Sequence, residues 1–184
     1  MNVRITGGEL KGRIIRFQTS KALRPTTSMV RGAIFTILGS NVLEGAQVLD
    51  LFSGTGAMGI EAISRGAGHV DFIELDSRRC KEIRTILHDF KIDQKAKVTY
   101  GNAIDKIDNL GSNYDVLFAD PPYGYKEWDR LLAKIEKFQI MKVGSLAIFE
   151  TSKHENHNFG SSNLIMKTQR KYGDSMISMY MSNG

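Results

Sequence analysis

From residue 47 onward, short apolar runs alternate with one-sided apolar stripes. The runs at 47–52, 70–75, 96–100, 114–120 and 143–150 have the length of strands, and most are apolar enough to be buried on both faces. Between them, 57–65, 78–90 and 126–138 carry apolar residues at helical spacing. In the second of these, Cys80, Ile83, Leu87 and Phe90 share one stripe, which assigns the cysteine to core packing. This alternation predicts an α/β protein with a doubly wound, mostly parallel sheet covered by helices on both faces. The pattern changes at the end of the chain. Residues 163–170 and 175–181 read as strands around Lys171-Tyr172-Gly173-Asp174 with no helix between them, so an antiparallel hairpin should complete a seven-stranded sheet.

The first 43 residues follow a different rule. Strand patterns at 2–6 and 13–18 flank a glycine-rich turn, which predicts a small β-hairpin. After Leu23-Arg24-Pro25, the residues Thr26 to Ser28 offer an N-cap. The helix that follows has its stripe at Val30, Ala33, Ile34, Ile37 and Leu38, so Arg31 is expected to face outward. Gly32 within that helix is expected to mark a close approach. The predicted organisation is a hairpin-and-helix extension over 1–43 and a sheet domain over 44–184.

Charge sharpens this division. Residues 1–31 hold seven basic side chains against one acid, whereas 32–184 hold 18 basic and 19 acidic. The net +5 of the chain therefore belongs to the extension, the candidate surface for phosphates. Lys11, Arg13, Arg24 and Arg31 are the expected phosphate contacts, RNA contacts if the family resemblance given below holds, and their role is to position rather than to read sequence. Cys80 is the only cysteine, so an intramolecular disulfide is excluded and a reducing cytoplasm is expected. There is no apolar run near the ~20 residues of a membrane span and no apolar stretch at the N-terminus of the kind a secretory signal uses. His154 and His157 lack a matched ligand set, so no metal is expected.

Two motifs carry chemistry. Val48 to Gly59 reads as a strand, a glycine loop and a helix start, with Gly54, Gly56 and Gly59 in G-x-G-x-x-G spacing and Glu74 twenty positions beyond Gly54. Alone, this suits NAD, FAD or S-adenosylmethionine. Asp50 before the loop favours the last, because a carboxylate suits an ammonium or sulfonium and serves a pyrophosphate poorly. Glu74 suits a ribose diol. Asp76 suits capping of the next helix.

The second motif is Asp120-Pro121-Pro122-Tyr123, closing the strand 114–120. Asp120 offers a carboxylate, the prolines stiffen the backbone so that the Pro121 carbonyl stands as a second acceptor, and Tyr123 offers a stacking face. Two acceptors and a ring fit an exocyclic amine on a nucleobase. Phe52 or Tyr125 is the candidate for the opposite face of the base.

The glycine loop with Asp50, Phe52, Ser53, Gly54, Gly56 and Gly59 resembles motif I of the Rossmann-like class I methyltransferases, with Glu74 as their ribose acid. Asp120 to Tyr123 is similar to the motif of amino-methyltransferases. Arg4-Ile5-Thr6-Gly7-Gly8, Lys11-Gly12-Arg13, Leu23-Arg24-Pro25-Thr26 and Val30-Arg31 resemble the N-terminal signature of the RsmD family, and the resemblance runs over nearly the whole chain. It implies S-adenosylmethionine-dependent methylation of a guanine N2 in 16S ribosomal RNA, on a 30S subunit or assembly intermediate, by a protein expected to be a monomer. It also implies adenine contacts at Asn102 and Ala103, although the family usually carries aspartate where Asn102 stands. Gly32 departs too, since an acid commonly follows the helix arginine. Rival readings are a DNA adenine-N6 methyltransferase, which lacks a recognisable target-reading insertion here, a small-molecule amine methyltransferase and a noncatalytic RNA-binding factor.

Overall fold

The computed structural model describes residues 2–17, 28–39, 41–111, 113–155, 157, 159–160 and 163–183. Two short strands, β1 (Asn2–Arg4) and β2 (Ile14–Arg16), pair antiparallel and lead to α1 (Ser28–Leu38). The sheet domain then runs β3 (Gln47–Leu51), α2 (Ala57–Ser64), β4 (His69–Glu74), α3 (Ser77–Asp89), β5 (Ala96–Tyr100), α4 (Ala103–Ile107), β6 (Tyr114–Ala119), α5 (Trp128–Lys137), β7 (Met141–Ser152), β8 (Leu164–Tyr172) and β9 (Ser175–Ser182).

The seven strands lie in the order β5-β4-β3-β6-β7-β9-β8. The first five pair parallel, and β9 runs antiparallel to both β7 and β8. Alternate residues of each central strand serve opposite faces, as a period of two requires. Val48, Val116 and Phe118 join α1, α2 and α3 on one face; Leu49, Leu51 and Leu117 join α4 and α5 on the other. The doubly wound sheet and its closing hairpin agree with the sequence pattern. The five-residue α4 was not anticipated, because one turn and a half is too short to show a helical period.

Cys80 is buried in the core, as its stripe implied. Asp76 caps α3 by accepting a 2.9 Å hydrogen bond from the Arg78 amide. Among the described residues no helix is long and apolar enough to cross a membrane.

Two expectations about α1 need correction. Arg31 does not face outward: only 1% of it is exposed. The buried face of α1 is Val30, Arg31, Ile34, Phe35 and Leu38, rotated from the expected stripe so that Phe35 is inside and Ala33 and Ile37 are half-buried. The reason is Glu61 on α2, whose side chain is wholly buried and accepts from Arg31 Nε at 2.6 Å. Thr6 Oγ1 and Arg65 Nη2 donate to the other carboxylate oxygen, and Arg31 Nη2 donates to the Arg4 carbonyl. Burial alone would raise the Glu61 pKa, but the hydrogen bonds from Thr6, Arg31 and Arg65 outweigh it and hold the group below its ordinary value. Gly32, in turn, marks no tight approach. A Cβ there would sit 3.9 Å from Thr6 Oγ1, an ordinary contact.

The hairpin turn is seated on the C-terminal end of α2. Glu9 N donates to the Ser64 carbonyl at 2.7 Å, Leu10 N to Ser64 Oγ at 2.9 Å, and Ser64 Oγ to the Gly7 carbonyl at 2.6 Å. Gly8 has φ +75° and a Cβ there would lie 1.7 Å from the Ser64 carbonyl oxygen, so only glycine permits this seat. Val3, Ile5, Ile15 and Phe17 join the same apolar core as α1 and α2.

Candidate functional site

A cleft of about 1100 Å³ opens at the carboxyl ends of the parallel strands, where open α/β sheets bind their ligands. Its wall includes Asp50, Phe52, Ser53, Gly54, Glu74, Asn102, Ala103 and Asp120 through Tyr123, all of them expected from the sequence. Gly56 and Gly59 are not on that wall. Gly59 instead lets α2 lie close on the sheet, since a Cβ there would come within 2.3 Å of the Phe72 ring.

At the donor end, two buried carboxylates stand on neighbouring strands. Asp50 is 3% exposed and accepts one hydrogen bond, from the Gly59 amide at the start of α2 (3.0 Å). Burial raises its pKa, the Gly59 hydrogen bond lowers it and the nearby Glu74 raises it again, leaving it at about 7. Glu74 Oε2 accepts from the Gly54 amide at 2.7 Å and Oε1 from the Asp76 amide at 2.8 Å, which ties the glycine loop to the end of β4. A carboxylate has about four lone-pair sites, so these two bonds leave capacity for a diol. Ser53 Oγ is turned inward, donating to the Asp50 carbonyl at 2.6 Å. Phe52 takes φ +59°, a left-handed backbone that a phenylalanine adopts only under constraint from its surroundings.

Asn102 caps α4 through its side-chain oxygen, which accepts from the Ile104 amide at 2.9 Å. An aspartate would keep a second acceptor oxygen in that position, whereas asparagine presents an NH₂ group. One oxygen must therefore serve both the cap and any adenine amine. Leu75 and Tyr100, 62% and 56% exposed, flank this part of the cleft and were not anticipated. Exposed large apolar residues at the ends of two adjacent strands were the available signal.

At the acceptor end, Asp120 follows β6 and Tyr123 is 46% exposed. Tyr125 packs edge-on against Phe52 (5.1 Å) and Trp128 (5.6 Å), making an aromatic wall behind the cleft. Among the described residues its buried hydroxyl has no hydrogen-bond partner, and burial, joined by the charge of Glu127, pushes its pKa up to about 12. Glu150 and Ser175, also unanticipated, line this end. Tyr172 reaches the cleft from the closing hairpin while Arg170 is exposed. His157 pairs with Glu155 at 3.0 Å and stacks on Phe159, with no metal-binding cluster among the described residues.

The residues suit an S-adenosylmethionine site: a cation-ready carboxylate, a diol-ready carboxylate, a glycine loop held open between them, and room for a base beyond. The expected RNA contacts fare unevenly. Lys11 and Arg13 are exposed, Arg13 lying 4.9 Å from the Phe90 ring centroid. Arg24 lies outside the described residues. Arg31 is withdrawn from that role by its burial against Glu61, which leaves no face for a phosphate. Arg4 and Arg16, not chosen from the sequence, are exposed on the outer face of the hairpin opposite the buried Val3 and Ile15. Strand alternation alone would have found them.

A family model described as "Conserved hypothetical protein 95" matches residues 3–181. Over 121 residues, 66% of this chain and 60% of the relative, the chain is 36% identical to ribosomal RNA small subunit methyltransferase D of Escherichia coli (strain K12). It is 29% identical over 182 residues, covering 98% of this chain and 92% of the relative, to the protein of the same name from Buchnera aphidicola subsp. Baizongia pistaciae. A solved Escherichia coli structure, yhhF, superposes with a TM-score of 0.91 at 26% identity, covering 100% of this chain and 99% of the other. On the cleft, the extension and these matches together, the chain belongs to the RsmD family.

Proposed function

We propose that the protein methylates the exocyclic N2 amine of a guanosine in 16S ribosomal RNA, using S-adenosylmethionine. One observation carries the reading: Asp120-Pro121-Pro122-Tyr123, an amine-orienting set, opens into the same cleft as Asp50 and Glu74. The chemistry brought by S-adenosylmethionine is an electrophilic methyl carried on positively charged sulfur. Glu74 holds the ribose hydroxyls, Asp50 faces the cationic part of the donor, and Asn102 with the Ala103 amide meets the adenine.

The target base, turned out of its stack, lies on Tyr123 with Phe52 and the Tyr125 wall behind it. Asp120 and the Pro121 carbonyl each accept one N2 hydrogen. This draws the nitrogen away from conjugation with the ring and aims its lone pair at the methyl. Transfer breaks one carbon–sulfur bond, forms one carbon–nitrogen bond and releases one N2 proton, for which Asp120 is the adjacent acceptor. Positioning and charge relief supply the rate, and no covalent enzyme intermediate is involved.

Lys11, Arg13, Arg4 and Arg16 supply phosphate contacts on an extension (1–43) that serves the catalytic unit (44–184), and Arg24 belongs with them on sequence grounds. The partner is 16S ribosomal RNA within a 30S particle, met in the cytoplasm by a monomer. Undermodified 30S subunits given labelled donor and the protein test this: label should appear in N2-methylguanosine. Asp120→Ala should lower transfer at least ~1000-fold while donor binding is retained. Label in N6-methyladenosine, or near-normal turnover by the Asp120 variant, overturns the reading.

A further inference from the structure

The acceptor end of the cleft holds a carboxylate that the transfer step above does not use. Ala119 and Phe149 are register partners in the parallel pair β6–β7, so Asp120 and Glu150 are the next residues on adjacent strands, whose axes lie about 4.8 Å apart. Both line the cleft. Glu150 is 7% exposed and its Oε1 accepts a 2.6 Å hydrogen bond from Ser175 Oγ, itself 7% exposed, on the far side in β9. Ser175 Oγ also meets the Tyr123 hydroxyl at 3.3 Å. Glu150 is thus a held carboxylate on the acceptor side of the cleft, tied through one serine to the ring expected to carry the base. Burying such a group is costly unless it is hydrogen-bonded, and the Ser175 hydroxyl supplies such a bond from β9.

The edge of guanine next to its amine explains what such a group is for. Guanine presents N1–H and N2–H side by side as donors; adenine presents an acceptor at N1. Two neighbouring carboxylates match the double donor and place negative charge against the adenine lone pair. We propose that Glu150 is a specificity-determining residue that accepts the N1–H of the target guanine while Asp120 accepts from its N2 amine. The inference rests on the guanine-N2 reading. It makes the choice of base a property of β7 and β9, separate from the amine-orienting motif on β6. Ser175 is the positioning residue that keeps the carboxylate aimed.

The test uses 30S subunits reconstituted on rRNA that carries either guanine or 2-aminopurine at the mapped target. 2-Aminopurine keeps the amine and replaces N1–H with a lone pair. The wild-type protein should prefer guanine by about 100-fold or more in kcat/KM, because a polar site is left unpaired by the analogue. Glu150→Gln should lose at least ~10-fold on guanine and narrow the preference by ~10-fold or more, since its amide can donate to the analogue's N1. Ser175→Ala should narrow it less, and both variants should keep the wild-type thermal shift with S-adenosylhomocysteine. Should the glutamine variant fail to fold, Glu150→Asp, which withdraws the carboxylate by one methylene, must narrow the preference in its place. An unchanged preference in the folded variants overturns the inference. Absence of N2-methylguanosine with the wild-type protein on ordinary subunits would instead overturn the reading beneath it.

Discussion

Asp50, which accepts from the first turn of α2, and Glu61, which α2 itself carries, are buried carboxylates whose surroundings differ completely. Glu61 is enclosed by Arg31, Arg65 and Thr6, and its pKa is held below the ordinary value. Asp50 has one backbone donor and a second acid nearby, and its pKa is raised to about 7. The first charge is neutralised within the fold and fixes the extension to the sheet domain. The second is short of positive charge until a cationic ligand arrives. Glu61 with its cations marks architecture, and Asp50 without them points to a site.

The sharpest way to break this contrast is to remove each group in turn. Glu61→Ala leaves Arg31 buried without its partner and should cost about 3–5 kcal/mol, lowering the melting temperature by about 10 °C. Asp50→Asn should keep or raise the melting temperature yet weaken S-adenosylhomocysteine or donor binding by about 10- to 100-fold, by calorimetry. If Asp50→Asn lowers the melting temperature and leaves ligand affinity alone, the contrast is wrong.

Proton linkage sharpens it next. Asp50 has a folded pKa above its unfolded value, so it binds a proton in the fold that the unfolded chain has lost. Its contribution to stability is fully present below about pH 4 and is lost as pH rises to about 7. With Asp50 facing the cationic part of the donor, as proposed, donor affinity should rise by up to about tenfold between pH 6 and pH 8. Asp50→Asn should flatten that profile. Glu61 has the opposite sign: its stabilisation is present above its unfolded pKa of about 4.5 and disappears as pH falls through its lower folded value. The smallest expected effect concerns the surface. Arg4→Ala with Arg16→Ala should leave stability within about 0.5 kcal/mol and reduce the salt dependence of RNA binding by about one unit of slope per arginine. An unchanged slope would remove the outer face of the hairpin from the RNA contact.

Much of this arrangement was legible in the sequence, because parallel strands buried on both faces write themselves as apolar runs and their ligand sites sit at the ends. Asp50, Glu74 and Asp120 each end or nearly end such a run. What the sequence hid depended on distant partners. A lone arginine on a helix reads as solvent-facing, and nothing local to Arg31 announces a carboxylate thirty positions away. Glu150 closes an apolar strand much as Asp120 does, but without prolines beside it there was no local feature to set it apart. Asn102 reads as an adenine acceptor, but the sequence did not show that the same oxygen also caps α4, a helix too short to display a period.

The seating of Gly8 on the Ser64 carbonyl has a bearing on how such proteins diversify. The basic hairpin is not a tag that can be exchanged at its sequence boundary, since its turn fits only the end of α2 and its strands share a core with α1. A recombination that exchanges the hairpin must carry across the last turn of α2, with Glu61 and Arg65, or lose the joint. The other end of that same helix begins at the glycine loop. Changes in the hairpin turn and in the glycine loop are therefore coupled through one short helix that both must fit.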